Sequence, residues 1–412
     1  MQSGTPPTPT ATGTPLVRIE KLVYGGEGLG RIDGQIVLMP FVLPEEEVSV
    51  ATQQVKRGLL RGSALTVLEP SPERIIPRCE YFGTCGGCHY QHAAYAFELE
   101  QKRQILLETL LRGSGVRYQD EIRIISGDPW FYRNRIQLHF FEDKSGFHQA
   151  ASHRLCAIDH CYIASPVLVE VIAAFRKAVA RPEWPAFLRS LEVFTNGNEI
   201  QLTVVDTARP VAARFFEWCR QFLPSSTGDP ISYSTAGFDF RISRKSFFQV
   251  NRHLIEALVE EVNGNVEGEE AIDLYSGVGL FSLPLSRRFR TVTAVEPGGS
   301  AFHDLEWNTA QAGTNIQVAR ASALEFLVNL QETPDLVVAD PPRAGLGPDV
   351  TGELLRLRPG KLVLVSCDPA TMARDVKRLL TAYRIERITL VDLFPRTFHF
   401  ETVVHMQREA TG

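Results

Sequence analysis

The stretch AIDLYSGVGLFSLPLS, residues 271–286, decides the fold of the catalytic part of this 412-residue chain. In it, an apolar run leads into a glycine-rich turn. Four more apolar runs follow with helical patterns between them: TVTAVE (291–296), NIQVAR (315–320), DLVVAD (335–340) and KLVLVS (361–366). Near-continuous apolar strands alternating with helices are typical of a parallel sheet covered on both faces. The sequence therefore predicts an α/β fold with a Rossmann-like sheet, whose ligand lies at the carboxyl ends of the strands.

The turn after the first strand has the residues of a nucleoside-binding loop. Gly277 and Gly279 let the backbone turn tightly and approach a ligand. Ser282 replaces the third glycine of a dinucleotide fingerprint, and the acidic Asp273 precedes the loop. Glu296 ends the next strand, where a carboxylate can accept both ribose hydroxyls. These residues favour S-adenosylmethionine; the alternative is a tight turn beside a capping glutamate.

Two later strands end in side chains that could take part in chemistry. Asp340 precedes two prolines, which predict a rigid turn that holds its carboxylate at the edge of the sheet. The alternative is a stiff loop without a functional role. Cys367 follows the fifth strand and is either a packing residue or a nucleophile. Methylation at C5 of a pyrimidine requires such a thiolate, because C5 becomes nucleophilic only after addition at C6.

The segment FPRTFHFETVVHM, residues 394–406, supplies a candidate base. Glu401 lies in a strand otherwise made of apolar and Thr residues. Such surroundings raise the pKa of a carboxyl group and suit it to proton transfer, unless Glu401 lies on an edge strand and faces water. His399 would lie on the same face if the segment is extended.

A cluster of cysteines forms a separate set. Cys79, Cys85 and Cys88 lie within ten residues, and Cys161 follows much later. Four thiolates can hold a [4Fe–4S] cluster or a tetrahedral zinc ion. Zinc ribbons have two paired knuckles, so three clustered ligands and one remote ligand favour iron–sulfur. Cys156 is the alternative fourth ligand, since it is only five residues from Cys161.

The N-terminal half of the chain has a different pattern. Residues 1–15 are rich in Pro, Thr and Gly and predict a disordered tail. Residues 16–70 read as short strands around turns, which predicts a small barrel, and YGGEGLGR (24–31) reads as a hairpin because a strand pattern follows it. Residues 71–235 mix strand and helix patterns, with a helix over 93–112, and predict an α+β domain before the catalytic domain at 236–412.

Composition limits the functional classes. The formal charge of −5 and the pI near 6.1 argue against a protein that binds polyanions such as nucleic acids over its whole surface. They are compatible with a local basic face. No run of 18 apolar residues occurs, so no membrane span is expected. The odd number of cysteines, seven, and the absence of a secretion signal predict a reduced cytoplasmic setting.

Six motifs together resemble the RNA uracil-C5 methyltransferases (class I RNA 5-methyluridine methyltransferases), and among them the bacterial 23S ribosomal RNA enzymes. They occur in the family's order and the resemblance covers nearly everything after residue 15. The motifs are Cys79-x5-Cys85-Gly86-Gly87-Cys88, SFFQVN (246–251), DLYSGVGLFSLPLS (273–286), DPPRAGL (340–346), SCDPATMARD (366–375) and FPRTFHFE (394–401).

The resemblance implies an architecture and a set of functional residues. Residues 16–70 would be a TRAM domain, an OB-like RNA-binding barrel; the central domain would carry a [4Fe–4S] cluster; and the helix at about 93–113 would pack on the catalytic domain. Cys367 would be the nucleophile and Glu401 the base that removes the C5 proton. The residues expected to contact S-adenosylmethionine are Gln249, Tyr275, Glu296 and Asp340. The expected metal ligands are Cys79, Cys85, Cys88 and Cys161.

Three positions depart from the family pattern. Arg396 stands where the family often has His, and Leu280 where it often has Asn. Ala321-Ser322-Ala323 replaces a frequent Gly-Asp-Ala, which removes the Asp that usually contacts adenine.

The expected partner is RNA, bound by a monomeric chain. A uridine must leave its stack to reach Cys367, which favours looped or single-stranded RNA. Seven basic or polar residues are candidates for contacts with phosphates and bases: Tyr132, Arg133, Asn134, Arg135, Arg241, Arg244 and Lys245. The alternative is that they are ordinary surface residues. The favoured substrate is 23S ribosomal RNA; the alternatives are a tRNA and, in another class, a non-catalytic RNA-binding assembly factor.

Overall fold

The computed structural model describes residues 15–226, 228–264 and 266–410. The predicted disordered tail, except for Pro15, lies outside these residues. None of the helices within them is long and apolar enough to cross a membrane.

The N-terminal strands close into a small barrel. Its strands follow the neighbour order β1-β2-β3-β5-β4, and Val17, Val37 and Val48 are buried inside. Antiparallel pairing of the first two strands around Gly25 and Gly26, both at positive φ, confirms the predicted hairpin. The strands are β1 (Leu16–Val23), β2 (Glu27–Ile32), β3 (Gln35–Pro40), β4 (Glu47–Lys56) and β5 (Leu59–Glu69).

The central region contains a second sheet, with the order β11-β10-β7-β8-β9 and antiparallel pairing throughout. Helix residues such as Val171 and Phe175 pack against it. The elements are α1 (Tyr95–Ser114), β6 (Arg123–Ile125), β7 (Arg135–Phe141), β8 (Lys144–His148), β9 (Leu155–Ala157), α2 (Pro166–Ala178), β10 (Leu188–Thr195), β11 (Ile200–Thr207), α3 (Ala213–Phe222) and the hairpin β12 (Ile231–Thr235) and β13 (Phe238–Ile242).

The C-terminal part forms an eight-stranded sheet with the order β16-β15-β14-β17-β18-β20-β19-β6. The five predicted apolar runs are β14 to β18, and they pair as parallel neighbours, which confirms the Rossmann-like prediction. The elements are α4 (Ile255–Asn263), β14 (Gly268–Leu274), α5 (Ser282–Leu285), β15 (Phe289–Val295), α6 (Gly299–Ala312), β16 (Ile316–Ala319), α7 (Ala323–Asn329), β17 (Leu336–Ala339), α8 (Gly347–Leu357), β18 (Lys361–Ser366), α9 (Pro369–Leu379), β19 (Tyr383–Val391) and β20 (Glu401–Arg408).

One edge of this sheet is completed by an earlier part of the chain. β20 runs antiparallel to both β18 and β19, so the sheet is mixed rather than wholly parallel. The short β6 then pairs in parallel with β19. α1 packs beside it on α9, where a Cβ atom at Gly113 would lie 2.7 Å from the Cβ of Ala373, so the small residue permits the close approach.

A buried ion network joins α1 to the loop between β19 and β20. The ammonium of Lys102 is fully buried and donates to Glu98 at 2.8 Å and to Asp392 at 2.7 Å. Arg396 donates its backbone N–H to Glu98 at 2.8 Å, and the Tyr95 hydroxyl donates to Asp392 at 2.8 Å. Because an unpaired buried charge is costly, these bonds fix the loop against the helix.

Replacing Lys102 by Met leaves Glu98 and Asp392 buried without this cation. We expect the free energy of unfolding to fall by roughly 3 kcal/mol in urea denaturation. The matched control is R103M, because Arg103 pairs with Glu100 on the solvent side of the same helix and its loss should cost less than about 0.5 kcal/mol. Equal stability of the two variants would contradict a stabilising role for the network.

Candidate active site

The parallel register brings three predicted cofactor residues to one edge of the sheet. Leu274 pairs with Val295 on one side and with Ala339 on the other. The next residue along each strand is Tyr275, Glu296 or Asp340, so these three side chains begin at the same level. Gln249, the fourth predicted residue, comes from outside the sheet.

The loop after β14 is shaped for close approach by a ligand. Tyr275, Gly277 and Gly279 have φ values of +62°, +58° and +94°. Gly279 has a φ value that other residues rarely adopt, and a Cβ atom there would lie 2.7 Å from the Leu283 side chain. The backbone N–H of Gly277 donates to Glu296 Oε2 at 3.0 Å, which ties the loop to the end of the next strand. Strained backbone of this kind is common at ligand sites.

Three carboxyl groups surround this loop without a matching cation. Burial and the nearby charges of Asp340 and Glu296 raise the pKa of Asp273 to about 7. Burial also raises the pKa of Asp340 to about 7 and that of Glu296 above its usual value. Within the described ranges, none of the three forms an ion pair, and Asp273 Oδ1 is buried without a partner. A positively charged ligand such as a sulfonium fits these carboxylates.

The segment bearing Gln249 is held by buried hydrogen bonds. Ser246 Oγ donates to Asp304 at 2.6 Å, and Asn134 Nδ2 donates to the Gln249 carbonyl at 3.1 Å. Arg135 donates to the Ser246 carbonyl at 3.0 Å. Only 4% of Gln249 is exposed, so its position is fixed by the α6 helix and by the 132–135 segment.

This arrangement corrects part of the predicted RNA-binding set. Tyr132 and Asn134 are buried, and the Tyr132 hydroxyl donates to the Pro395 carbonyl at 3.0 Å. Arg135 pairs with Glu192 and lies over the Phe194 ring. The prediction of RNA contact was wrong for these three residues, because their side chains bond inward. Lys245 is exposed, and its contact with RNA stays a prediction.

Cys367 and Glu401 are placed across from each other by strand pairing. Ser366 of β18 pairs with Thr402 of β20 in an antiparallel register. The residue after Ser366 is Cys367, and the residue before Thr402 is Glu401, so the thiol and the carboxyl group start at the same level of the sheet. Asp368 then accepts bonds from two N–H groups of α9 at 2.9 and 3.0 Å, which starts the helix directly beyond the thiol.

Burial and charge control the ionisation of this pair. Burial, followed by the charge of Glu401, raises the pKa of the Cys367 thiol to about 11, and the Arg343 guanidinium opposes this shift. Burial and the charge of Asp340 raise the pKa of Glu401, which is 6% exposed and has Oε2 without a hydrogen-bond partner. Arg343 was not predicted, although its place directly after Asp340-Pro341-Pro342 was the available signal.

His399 lies just before β20, which begins at Glu401. Its ring lines a cavity of about 700 Å³. Burial and the charge of Arg343 lower the pKa of His399 to about 3, so the imidazole is neutral at physiological pH. The placement of His399 on the same face as Glu401 stays a prediction.

The same cavity contains the predicted cysteine ligands in its wall. Cys79, Cys85, Cys88 and Cys161 all line it, whereas Cys156 lies in β9 and packs in the apolar core. In the described part of the chain, no three His, Cys, Asp or Glu side chains are close enough to hold a single metal ion.

The three departures from the family pattern have local structural roles. Ser322 caps α7 in a reciprocal pair of hydrogen bonds with Glu325. Leu280 is buried in the core against the sheet. Arg396 belongs to the network around Glu98 and is 4% exposed.

Comparison with known proteins gives two family matches. The model described as tRNA (Uracil-5-)-methyltransferase matches residues 230–409, and the TRAM domain model matches residues 14–65. Similar proteins from Thermotoga maritima and Aquifex aeolicus are named uncharacterized RNA methyltransferases. Each is 31% identical to this chain over 94% of its length, covering 98% and 97% of the relatives.

One solved structure is similar over nearly the whole chain. It is the Pyrococcus abyssi tRNA (uracil-54, C5)-methyltransferase in complex with S-adenosyl-L-homocysteine, which is 28% identical to this chain. The TM-score is 0.73, with coverage of 94% of this chain and 99% of that one.

Replacing Arg343 by Gln should make Cys367 less reactive. Loss of the cation raises the pKa of the thiol, so at pH 8 less thiolate forms and alkylation by iodoacetamide should slow about threefold. The rate is measured by mass spectrometry of the peptide containing Cys367. R374Q is the control, because Arg374 pairs with Asp375; unchanged alkylation in R343Q would contradict the electrostatic role.

Proposed function

Because the chain belongs to the S-adenosylmethionine-dependent RNA uracil-C5 methyltransferases, we propose that it forms 5-methyluridine in RNA with Cys367 as the nucleophile and Glu401 as the base. The observation that supports this assignment is the β18–β20 register, which sets these two groups opposite each other beside the cofactor residues. The favoured substrate is 23S ribosomal RNA, on the basis of the motifs in the sequence.

Cys367 starts the reaction in this proposal. Its thiolate adds to C6 of the uracil, which forms a C–S bond and moves the C5=C6 electron pair towards C5 and the C4 carbonyl. The electron-rich C5 then takes the methyl group. Because the thiol is largely protonated in the free protein, Arg343 contributes by favouring the thiolate.

Glu401 completes the reaction. Its carboxylate accepts the proton from C5, and the electrons of that C–H bond restore the C5=C6 double bond and expel the Cys367 thiolate. Burial makes an ionised Glu401 a stronger base than an exposed glutamate, because protonation relieves an unfavourable buried charge.

S-adenosylmethionine supplies the methyl group as an electrophilic sulfonium. The residues proposed to hold it are Gln249, Tyr275, Glu296 and Asp340. The unmatched carboxylates around the glycine loop support a cationic ligand there, and the orphaned Asp273 Oδ1 lies beneath the same loop. Glu296 has the position expected for a ribose contact at the end of β15.

A tRNA is the second candidate substrate. The observation in its favour is the similarity over nearly the whole chain to a protein described as a tRNA (uracil-54, C5)-methyltransferase. Both RNAs offer looped uridines that can be flipped towards Cys367. Transcripts of each, compared in the adduct assay below, separate the two substrates.

We also propose that Cys79, Cys85, Cys88 and Cys161 hold a [4Fe–4S] cluster. Four cysteine thiolates are the usual ligand set of such a cluster, and these four cysteines line one cavity. The cysteine segment also braces the catalytic loop, because the backbone N–H groups of His89 and Tyr90 donate to the Arg396 carbonyl at 2.7 and 3.1 Å.

The nucleophile is tested on RNA containing 5-fluorouridine. With S-adenosylmethionine present, we expect a covalent protein–RNA complex that resists denaturing gels and that C367A abolishes, since fluorine at C5 blocks the final elimination. C219A is the matched control, because Cys219 is buried in another core. A covalent complex that persists in C367A would contradict the role of Cys367 as nucleophile.

The base is tested on ordinary RNA. E401Q should accumulate the methylated covalent adduct, because removal of the C5 proton is blocked. Rapid turnover by E401Q would contradict the role of Glu401 as base.

The cluster is tested by anaerobic reconstitution with iron and sulfide. We expect the wild-type chain and C156A to bind both elements. C161A should lose most of the bound iron and the visible absorption, because Cys161 lines the cavity with the other three cysteines and Cys156 is not among the lining residues. The measurement is iron and sulfide per chain after gel filtration. Equal iron content in C156A and C161A would contradict this ligand assignment.

A further inference from the structure

One turn of the N-terminal barrel contacts the candidate active site through Tyr24. Tyr24 lies in the turn between β1 and β2, and its hydroxyl donates to the backbone carbonyl of Cys367 at 2.9 Å. The two residues are 343 positions apart in the chain. The bond is partly buried, so water competes for it less than at an open surface.

The ring of Tyr24 also packs on the segment that leads to Glu401. It meets Phe398 and Phe400 edge to face, with ring centroids 5.3 and 5.9 Å apart. The same turn lies against His89, since a Cβ atom at Gly26 would be 2.9 Å from that ring. The barrel turn therefore contacts the peptide of the proposed nucleophile, the approach to the proposed base and the cysteine segment.

We propose that Tyr24 is a positioning residue for methyl transfer, which fixes the peptide of Cys367 so that the thiol points at the substrate base. The inference rests on the proposed function, because it requires Cys367 to be the nucleophile. The carbonyl that Tyr24 binds is attached to the same Cα atom as the thiol-bearing side chain. Small misplacements of a nucleophile reduce rates strongly, so an anchor at this carbonyl affects the chemical step.

The alternative is that Tyr24 only attaches the barrel to the catalytic domain, and this alternative predicts a different result. The barrel is also held by the ion pair of Lys21 with Glu108 on α1, which lies apart from the nucleophile. If Tyr24 only attached the barrel, loss of that ion pair would have the same consequence as loss of the Tyr24 hydroxyl. A positioning role requires the hydroxyl alone to affect the rate of attack.

The test compares Y24F with two control variants in the full-length chain. Y24F removes the hydroxyl and keeps the aromatic contacts. Y383F makes the same chemical change at a distance, because the Tyr383 hydroxyl donates to the Pro359 carbonyl at 3.0 Å. K21M weakens the attachment of the barrel without touching Cys367. The maximum rate of adduct formation on 5-fluorouridine RNA, the RNA dissociation constant and the melting temperature are measured for each.

We expect Y24F to lower the maximum rate about tenfold, while its RNA affinity stays within about twofold of wild type. Y383F and K21M should keep the wild-type maximum rate, whatever their melting temperatures. A wild-type rate in Y24F, or an equal loss of rate in K21M or Y383F, would overturn the inference while leaving the proposed function intact. An adduct that persists in C367A, or no adduct with the wild-type chain, overturns the proposed function and this inference with it.

Discussion

The antiparallel register between β18 and β20 is the constraint on which the site depends. Backbone hydrogen bonds alone fix Ser366 opposite Thr402, and this pairing sets Cys367 against Glu401. A shift of one residue would turn every side chain of β20 to the other face of the sheet. The buried network of Lys102 fixes the loop that precedes β20 against α1, through Asp392 at the start of that loop.

Burial and neighbouring charges determine which groups of the candidate site are ionised. Carboxyl groups dominate the strand ends, and burial keeps their pKa values high. The Cys367 thiol shares this negative environment, with Arg343 as an opposing cation. The raised pKa favours the protonated thiol, which reacts more slowly with oxidants and alkylating agents than a thiolate does.

The sequence predicted correctly those features that depend on residues close together in the chain. Each parallel strand carries its own apolar run, and a parallel sheet brings the following residues, such as Glu296 and Asp340, to one edge. The contribution of β6, the contact of Tyr24 and the inward direction of Arg135 depend on segments far apart in the chain. A polar residue type does not reveal the direction in which its side chain bonds, and for that reason the RNA-contact prediction failed at Arg135.

Two early segments, α1 and β6, pack on parts of the catalytic domain that are translated much later. This has a consequence for folding during synthesis on the ribosome. Lys102 and its partner Asp392 are 290 residues apart, so the buried face of α1 emerges long before the segment that covers it. Until then Lys102 has only Glu98 of its own helix as an ionic partner, and α1 has no α9 to pack on. The catalytic sheet therefore completes its fold only when the last strands have been translated, and contacts of such long sequence separation are expected to form late.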